Sequence, residues 1–190
     1  LSRDASKEEI LERINNNTIT DILNKIEVKA GDVVMVKAGT IHAIGAGVFI
    51  CEIQQNSNCT YRMYDYDRRD KFGNPRELHV KKALDVVDNH KYIKDNKTEV
   101  VIARNEHFTE ERLVQCKYFE VYKYEVNDEA KITVDEASFV SVLFINGSGT
   151  IETDDYEKTM EFKAGDSFFV SAGLRSIIIK GQATMVVTRV

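Results

Sequence analysis

The sequence has 190 residues, 43% of them hydrophobic and 30% charged, with a net charge of −5 and a pI of about 5.5. That length allows one large domain or two small ones with an ordinary core. The acidic balance leaves no broad basic surface and argues against a nucleic-acid partner. No apolar run approaches the ~20 residues that a membrane helix needs.

No charged-then-apolar leader is visible, so a cytoplasmic protein is expected. The three cysteines, Cys51, Cys59 and Cys116, lack metal-knuckle or redox spacing and are expected to be reduced thiols. Asn16, Asn58, Asn96 and Asn146 each open an Asn-x-Ser/Thr triplet, read as chance matches.

The first segment, SKEEILERINNNTITDILNKI, has helical spacing. Ser6 and Glu9 form a capping-box pattern. Ile10 and Ile14 share one face, with Leu11 beside them. The run Asn15-Asn16-Asn17 is expected to break the helix before a short turn carrying Ile22 and Leu23. From Val28 the pattern changes to short valine- and isoleucine-rich runs, VVMV and VFICEI, which read as strands. KFGNPRELHVKKALDVV returns to helix, with Asn74 as the expected cap, Pro75 at the first helical position and Glu77 completing a capping box. Beyond Thr98 strand patterns dominate: CKYFEVYKYEV, AKITV, SFVSVLFI, GTIETD, EKTMEF, DSFFVSA, RSIIIK and ATMVVTRV. Their turn spacing suggests an all-β sandwich or barrel.

The chain contains an internal repeat. EVKAGDVVMVKAGT, starting at Glu27, aligns with EFKAGDSFFVSAGL, starting at Glu161. Each copy has a Gly-Asp turn, a short strand and an Ala-Gly turn, and glycine belongs at turns that need positive φ. The second copy holds Ser176 where the first holds His42, and Val186 where the first holds Glu52. A polar group present in only one copy points to chemistry rather than packing.

The spacing G-D-x(6)-G-x-x-H-A, ending at His42-Ala43, resembles the second half of a cupin motif. The residues that follow, through EIQQNSNCTYRMYDYDRRD to RELH, are similar to type I mannose-6-phosphate isomerases of the short bacterial form. KAGDSFFVSAG resembles that family's C-terminal cupin domain, so the likeness covers essentially the whole chain. Lys37 and Ser57-Asn58-Cys59-Thr60 depart from the family's usual PAGT and Ser-Asp-Thr-Thr.

The resemblance implies a mainly β protein of two cupin-type jelly-roll units with a few short helices. Residues 1–97 would be the C-terminal part of the catalytic cupin domain, and 98–190 a second, ligand-free cupin domain. It implies a zinc cofactor with His42 as a metal ligand. It also implies a small-molecule phosphosugar substrate interconverted between mannose 6-phosphate and fructose 6-phosphate through an enediolate.

The family's other metal ligands come from an upstream segment, and the first repeat lacks the strands that precede the second. The chain is therefore expected to be a truncated portion, inactive as given, whose missing N-terminal segment supplies the remaining ligands. Arg62 matches the family's active-site arginine, suited to stabilising enediolate charge or holding phosphate. By strand alternation Glu52 shares a face with Val48, Ile50 and Gln54. A carboxylate there needs a partner: a ligand to orient, substrate hydroxyls, or Arg62. It is also the general-base candidate. Asp65, Asp67, Arg68 and Arg69 read mainly as mutual ion pairs, His79 as packing, and His90 and His107 as exposed. Tyr61, Tyr64 and Tyr66 suit either a sugar site or barrel packing. The alternatives are a non-catalytic sugar-binding cupin module and a cupin isomerase for another phosphosugar.

Overall fold

A computed structural model describes residues 1–57, 59–93, 100–153 and 156–190. The chain divides into two compact units, Leu1–Asn96 and Lys97–Val190. The boundary expected between 97 and 98, and the departure at Asn58, lie outside the described residues.

In the first unit, helix α1 spans Lys7–Asn15, and the Ser6 side chain accepts a hydrogen bond from the Glu9 N–H at its start. Asn17 takes a positive φ of 56°, which ends the helix within the asparagine run. A 3-10 turn follows at Ile19–Ile22. Ile10, Ile14, Ile19 and Ile22 bury together with Leu1 and Ala5. Ile41, Met63, Tyr64, Val80 and Leu84 pack on this cluster and place the later segments against α1.

Helix α2 spans Val80–Val86 and is shorter than the spacing predicts. Asn74 and Pro75 do not start it. Asp70 accepts from the Asn74 and Phe72 N–H groups, and Pro75 bridges Arg69. This turn takes up the capping residues, so the helix begins after His79. The strands expected at VVMV and VFICEI are not formed, because a strand exists only against a partner ladder and none pairs with them among the described residues.

The second unit holds eight antiparallel strands: β1 Val100–Arg104, β2 Phe108–Gln115, β3 Glu120–Val126, β4 Glu129–Val134, β5 Val140–Thr153, β6 Tyr156–Lys163, β7 Ser167–Val170 and β8 Arg175–Arg189. The ladder runs β1-β2-β3-β8-β5-β6, with β4 on β8 and β7 on β5. SFVSVLFI and GTIET contribute to one strand, β5, and RSIIIK and ATMVVTRV to another, β8. Gly147, Gly149 and Gly181 let β5 and β8 run together, since a Cβ on Gly147 would sit 1.9 Å from the Gln182 carbonyl oxygen. Inward-facing Phe144, Ile132, Ile151, Ile177, Ile179 and Met185 fill the core, and Phe144 stacks on Phe162 with centroids 3.7 Å apart. No helix among the described residues is long and apolar enough to cross a membrane.

Candidate functional site

The repeat survives as geometry. Gly31 and Gly165 have φ of 93° and 91°, and Gly39 and Gly173 have 84° and 80°. In each copy the aspartate after the first glycine closes the turn. Asp32 Oδ2 accepts from Lys29 N at 3.1 Å, and Asp166 Oδ2 from Lys163 N at 2.9 Å. Gly39 is also a close approach: its carbonyl accepts from Asp88 N at 2.9 Å, just beyond α2.

His42 follows this turn, next to Ile41 in the apolar cluster, with its ring exposed. Its Nδ1 lies 2.9 Å from the Thr40 carbonyl oxygen. A carbonyl only accepts, so Nδ1 carries the proton, and in the neutral ring the lone pair lies on Nε2. This is how metal-binding histidines are commonly held, with one nitrogen tied and the other free to coordinate. The ring fits zinc as a single donor. Zinc takes about four ligands, and the described residues contain no cluster of His, Cys, Asp and Glu that holds an ion alone.

Arg62 is fixed on two sides. Its N–H donates to His79 Nδ1 at 3.3 Å, and its carbonyl accepts from the His79 N–H at 2.6 Å. Its Nη1 donates to the Glu77 carbonyl at 3.2 Å. The structure thus sets Arg62 on the turn that opens α2. His79, expected to be packing, is the N-cap residue of that helix and the anchor of Arg62. Its signal in the sequence was the RELH run that follows the tyrosine-rich stretch.

Glu52 is exposed and makes no hydrogen bond or ion pair among the described residues, so it is not paired with Arg62, whose guanidinium reaches Glu77 instead. Asp65 is buried, contacts Arg68 and lies 3.6 Å from Arg76. The Arg68 hydrogen bond, with the charges of Arg68, Arg76 and Arg62, holds its carboxyl below the usual range. Asp67 pairs with Arg69 at 3.0 Å, so these groups do neutralise one another. Tyr64 and Tyr66 lie 5.0 Å apart, and Tyr61 faces His79 at 6.4 Å. His90 bonds Asp88, and His107 bonds Asp128. All three cysteines are free thiols.

The eight-stranded antiparallel unit with paired Gly-Asp and Ala-Gly turns is of the cupin class. Residues 109–190 match the family described as mannose-6-phosphate isomerase, cupin domain. The chain is 40% identical to YvyI of Bacillus subtilis over 97% of its own length and 57% of that protein. It is 33% identical to mannose-6-phosphate isomerase ManA of the same organism, covering 96% of this chain and 56% of ManA. A crystal structure of the mannose 6-phosphate isomerase from Bacillus subtilis superposes with a TM-score of 0.87 at 37% identity, covering 99% of this chain and 58% of that one. Residues 109–190 belong to the mannose-6-phosphate isomerase cupin-domain family, and the chain spans about half the length of the curated relatives it matches.

Proposed function

We propose that this chain is part of an enzyme that interconverts mannose 6-phosphate and fructose 6-phosphate. One observation carries the reading: a chain superposing over 99% of its length on the Bacillus subtilis isomerase presents His42 through a free Nε2. On this reading residues 1–97 are part of the catalytic cupin domain and 98–190 a second one without ligands. His42 is one zinc donor, and the others come from family sequence outside this chain. Bound there, zinc supplies Lewis acidity toward the sugar oxygens.

The chain's own residues do the rest. The C2 proton leaves to a base, and its electron pair forms the C1–C2 double bond of an enediolate as charge moves onto O1. A proton then returns to C1, and the O2 hydroxyl proton passes to O1. Arg62, held by His79 and Glu77, has the rigid cationic donor needed where that charge develops. Glu52, which is exposed and makes no hydrogen bond or ion pair among the described residues, is assigned the proton transfer. The three free thiols suit the reducing cytoplasm.

The test is conversion of mannose 6-phosphate in D2O by the protein expressed from its complete coding sequence. Solvent deuterium at C1 of fructose 6-phosphate is expected. Product without deuterium would replace proton transfer by a hydride shift. No product would leave a sugar-binding module.

A further inference from the structure

Asn146 is the only asparagine in the sequence followed by glycine. The pair lies in β5, where the pairing with β8 shifts register between Phe144 and Asn146. Asn146 is exposed, and its Oδ1 accepts a hydrogen bond from the Gly147 N–H at 2.8 Å. Oδ1 is bonded to Cγ, so the Gly147 nitrogen already lies beside the side-chain carbonyl carbon. The hydrogen bond also polarises that carbonyl. The amide nitrogen Nδ2 is held by no hydrogen bond among the described residues. Gly147 brings no side chain that would shield Cγ, and its φ is 91°. No larger residue fits there, since a Cβ would sit 1.9 Å from the Gln182 carbonyl oxygen. The close approach of β5 and β8 thus fixes a glycine directly after an exposed asparagine.

We propose that Asn146-Gly147 is a self-modifying site at which the folded chain converts asparagine to isoaspartate and aspartate, with water and hydroxide as the reactants. Hydroxide removes the Gly147 N–H proton, and the nitrogen attacks Asn146 Cγ. The Cγ–Nδ2 bond breaks as Nδ2 takes a proton from water and leaves as ammonia, which restores the hydroxide. The product is a cyclic imide, and water opens it at either carbonyl. Opening at Cγ gives aspartate. Opening at the main-chain carbonyl gives isoaspartate, whose main chain runs through Cβ and Cγ and is longer by a methylene. Neither step changes an oxidation state.

Isoaspartate lengthens β5 beside the core. Phe144, two residues earlier, stacks on Phe162. Its N–H donates to the Asp166 carbonyl and its carbonyl accepts from the Gly165 N–H, in the Gly-Asp turn of the second repeat. Asn146 and Gly147 themselves pair with Thr184 and Ala183. The added methylene breaks this register. Aspartate adds only an exposed charge. The site lies in the second unit and does not depend on the isomerase reading.

The experiment incubates the folded chain in mildly alkaline buffer and maps conversion by peptide mass spectrometry, with electron-transfer fragmentation separating isoaspartate from aspartate. Conversion is expected at Asn146 ahead of every other asparagine, at a rate that rises with pH. Asn146→Gln should abolish conversion at this position, because glutamine must close a larger ring, and should leave melting unchanged because the side chain is exposed. Asn146→Asp should melt with the unmodified chain, while the purified isoaspartyl form should melt at a lower temperature. The proposal is overturned if Asn146 stays intact in the folded chain over the time in which the denatured chain converts, or if another asparagine of the folded chain converts first. An isoaspartyl form that melts with the unmodified chain overturns the register effect.

Discussion

Arg62 and His79 exchange two backbone-linked hydrogen bonds, the Arg62 N–H to His79 Nδ1 and the His79 N–H to the Arg62 carbonyl. The pair converts a helix start into a mount for an arginine. His79→Ala should remove one bond and lower the stability of the first unit by roughly 1 kcal/mol. On the proposed function, in the protein expressed from its complete coding sequence, it should reduce turnover while leaving bound metal unchanged. Metal analysis beside a rate assay checks this, and a parallel loss of both would make His79 a structural residue only.

On the proposed function, His42→Ala in the protein expressed from its complete coding sequence should lose metal and activity together. Arg62→Ala should keep metal and lose turnover by about a hundredfold or more, the scale of removing one preorganised donor. Retained turnover would take Arg62 out of the mechanism.

Gly39 and Gly31 share a positive φ but not surroundings. A Cβ on Gly31 meets open space, whereas one on Gly39 would lie 2.7 Å from the Val86 carbonyl oxygen. Gly31→Ala should cost about 1–2 kcal/mol of left-handed strain. Gly39→Ala should cost more and detach the Asp88 N–H from residue 39, read by denaturant melts and exchange at Asp88.

Acid should loosen the start of α1. Hydrogen bonds from Arg3 and Arg13 lower the Glu9 carboxyl from 4.5 to about 2. A depressed carboxylate stabilises above its unfolded value and loses that contribution as pH falls toward its folded one. Exchange of α1 amides should rise between pH 4.5 and about 2, and Glu9→Gln should flatten that rise.

In the second unit His107 and Asp128 tie two hairpin turns at 2.9 Å. The Asp128 hydrogen bond raises the imidazole above 6.5, and the imidazolium lowers the carboxyl below 3.8. Glu106 and Glu129 add to the histidine's shift. The raised histidine contributes fully below 6.5 and fades as pH climbs through its folded value. The lowered aspartate contributes above 3.8 and fades in acid. The melting temperature of the second unit should fall as pH rises above 6.5, and Asp128→Asn should abolish that slope.

Much was legible in the sequence because it is local. Ser6 and Glu9 cap α1 as their spacing predicts, since capping needs only neighbouring backbone. The glycines at 31, 39, 165 and 173 announce positive φ because only a missing Cβ makes that conformation cheap. Alternation marked the strands from CKYFEVYKYEV onward, and the signature from His42 through Arg62 to RELH marked the family.

What the tertiary structure decided is what depends on partners distant in the chain. Asn74 and Pro75 have the residue types of a helix start, yet Asp70 draws them into a turn. VVMV and VFICEI have strand composition, but a strand needs a neighbour, and the first unit offers none among its described residues. The same principle separates the two repeat copies. Similar sequences make identical turns on their own, while a ladder forms only where strands elsewhere in the chain supply its other half.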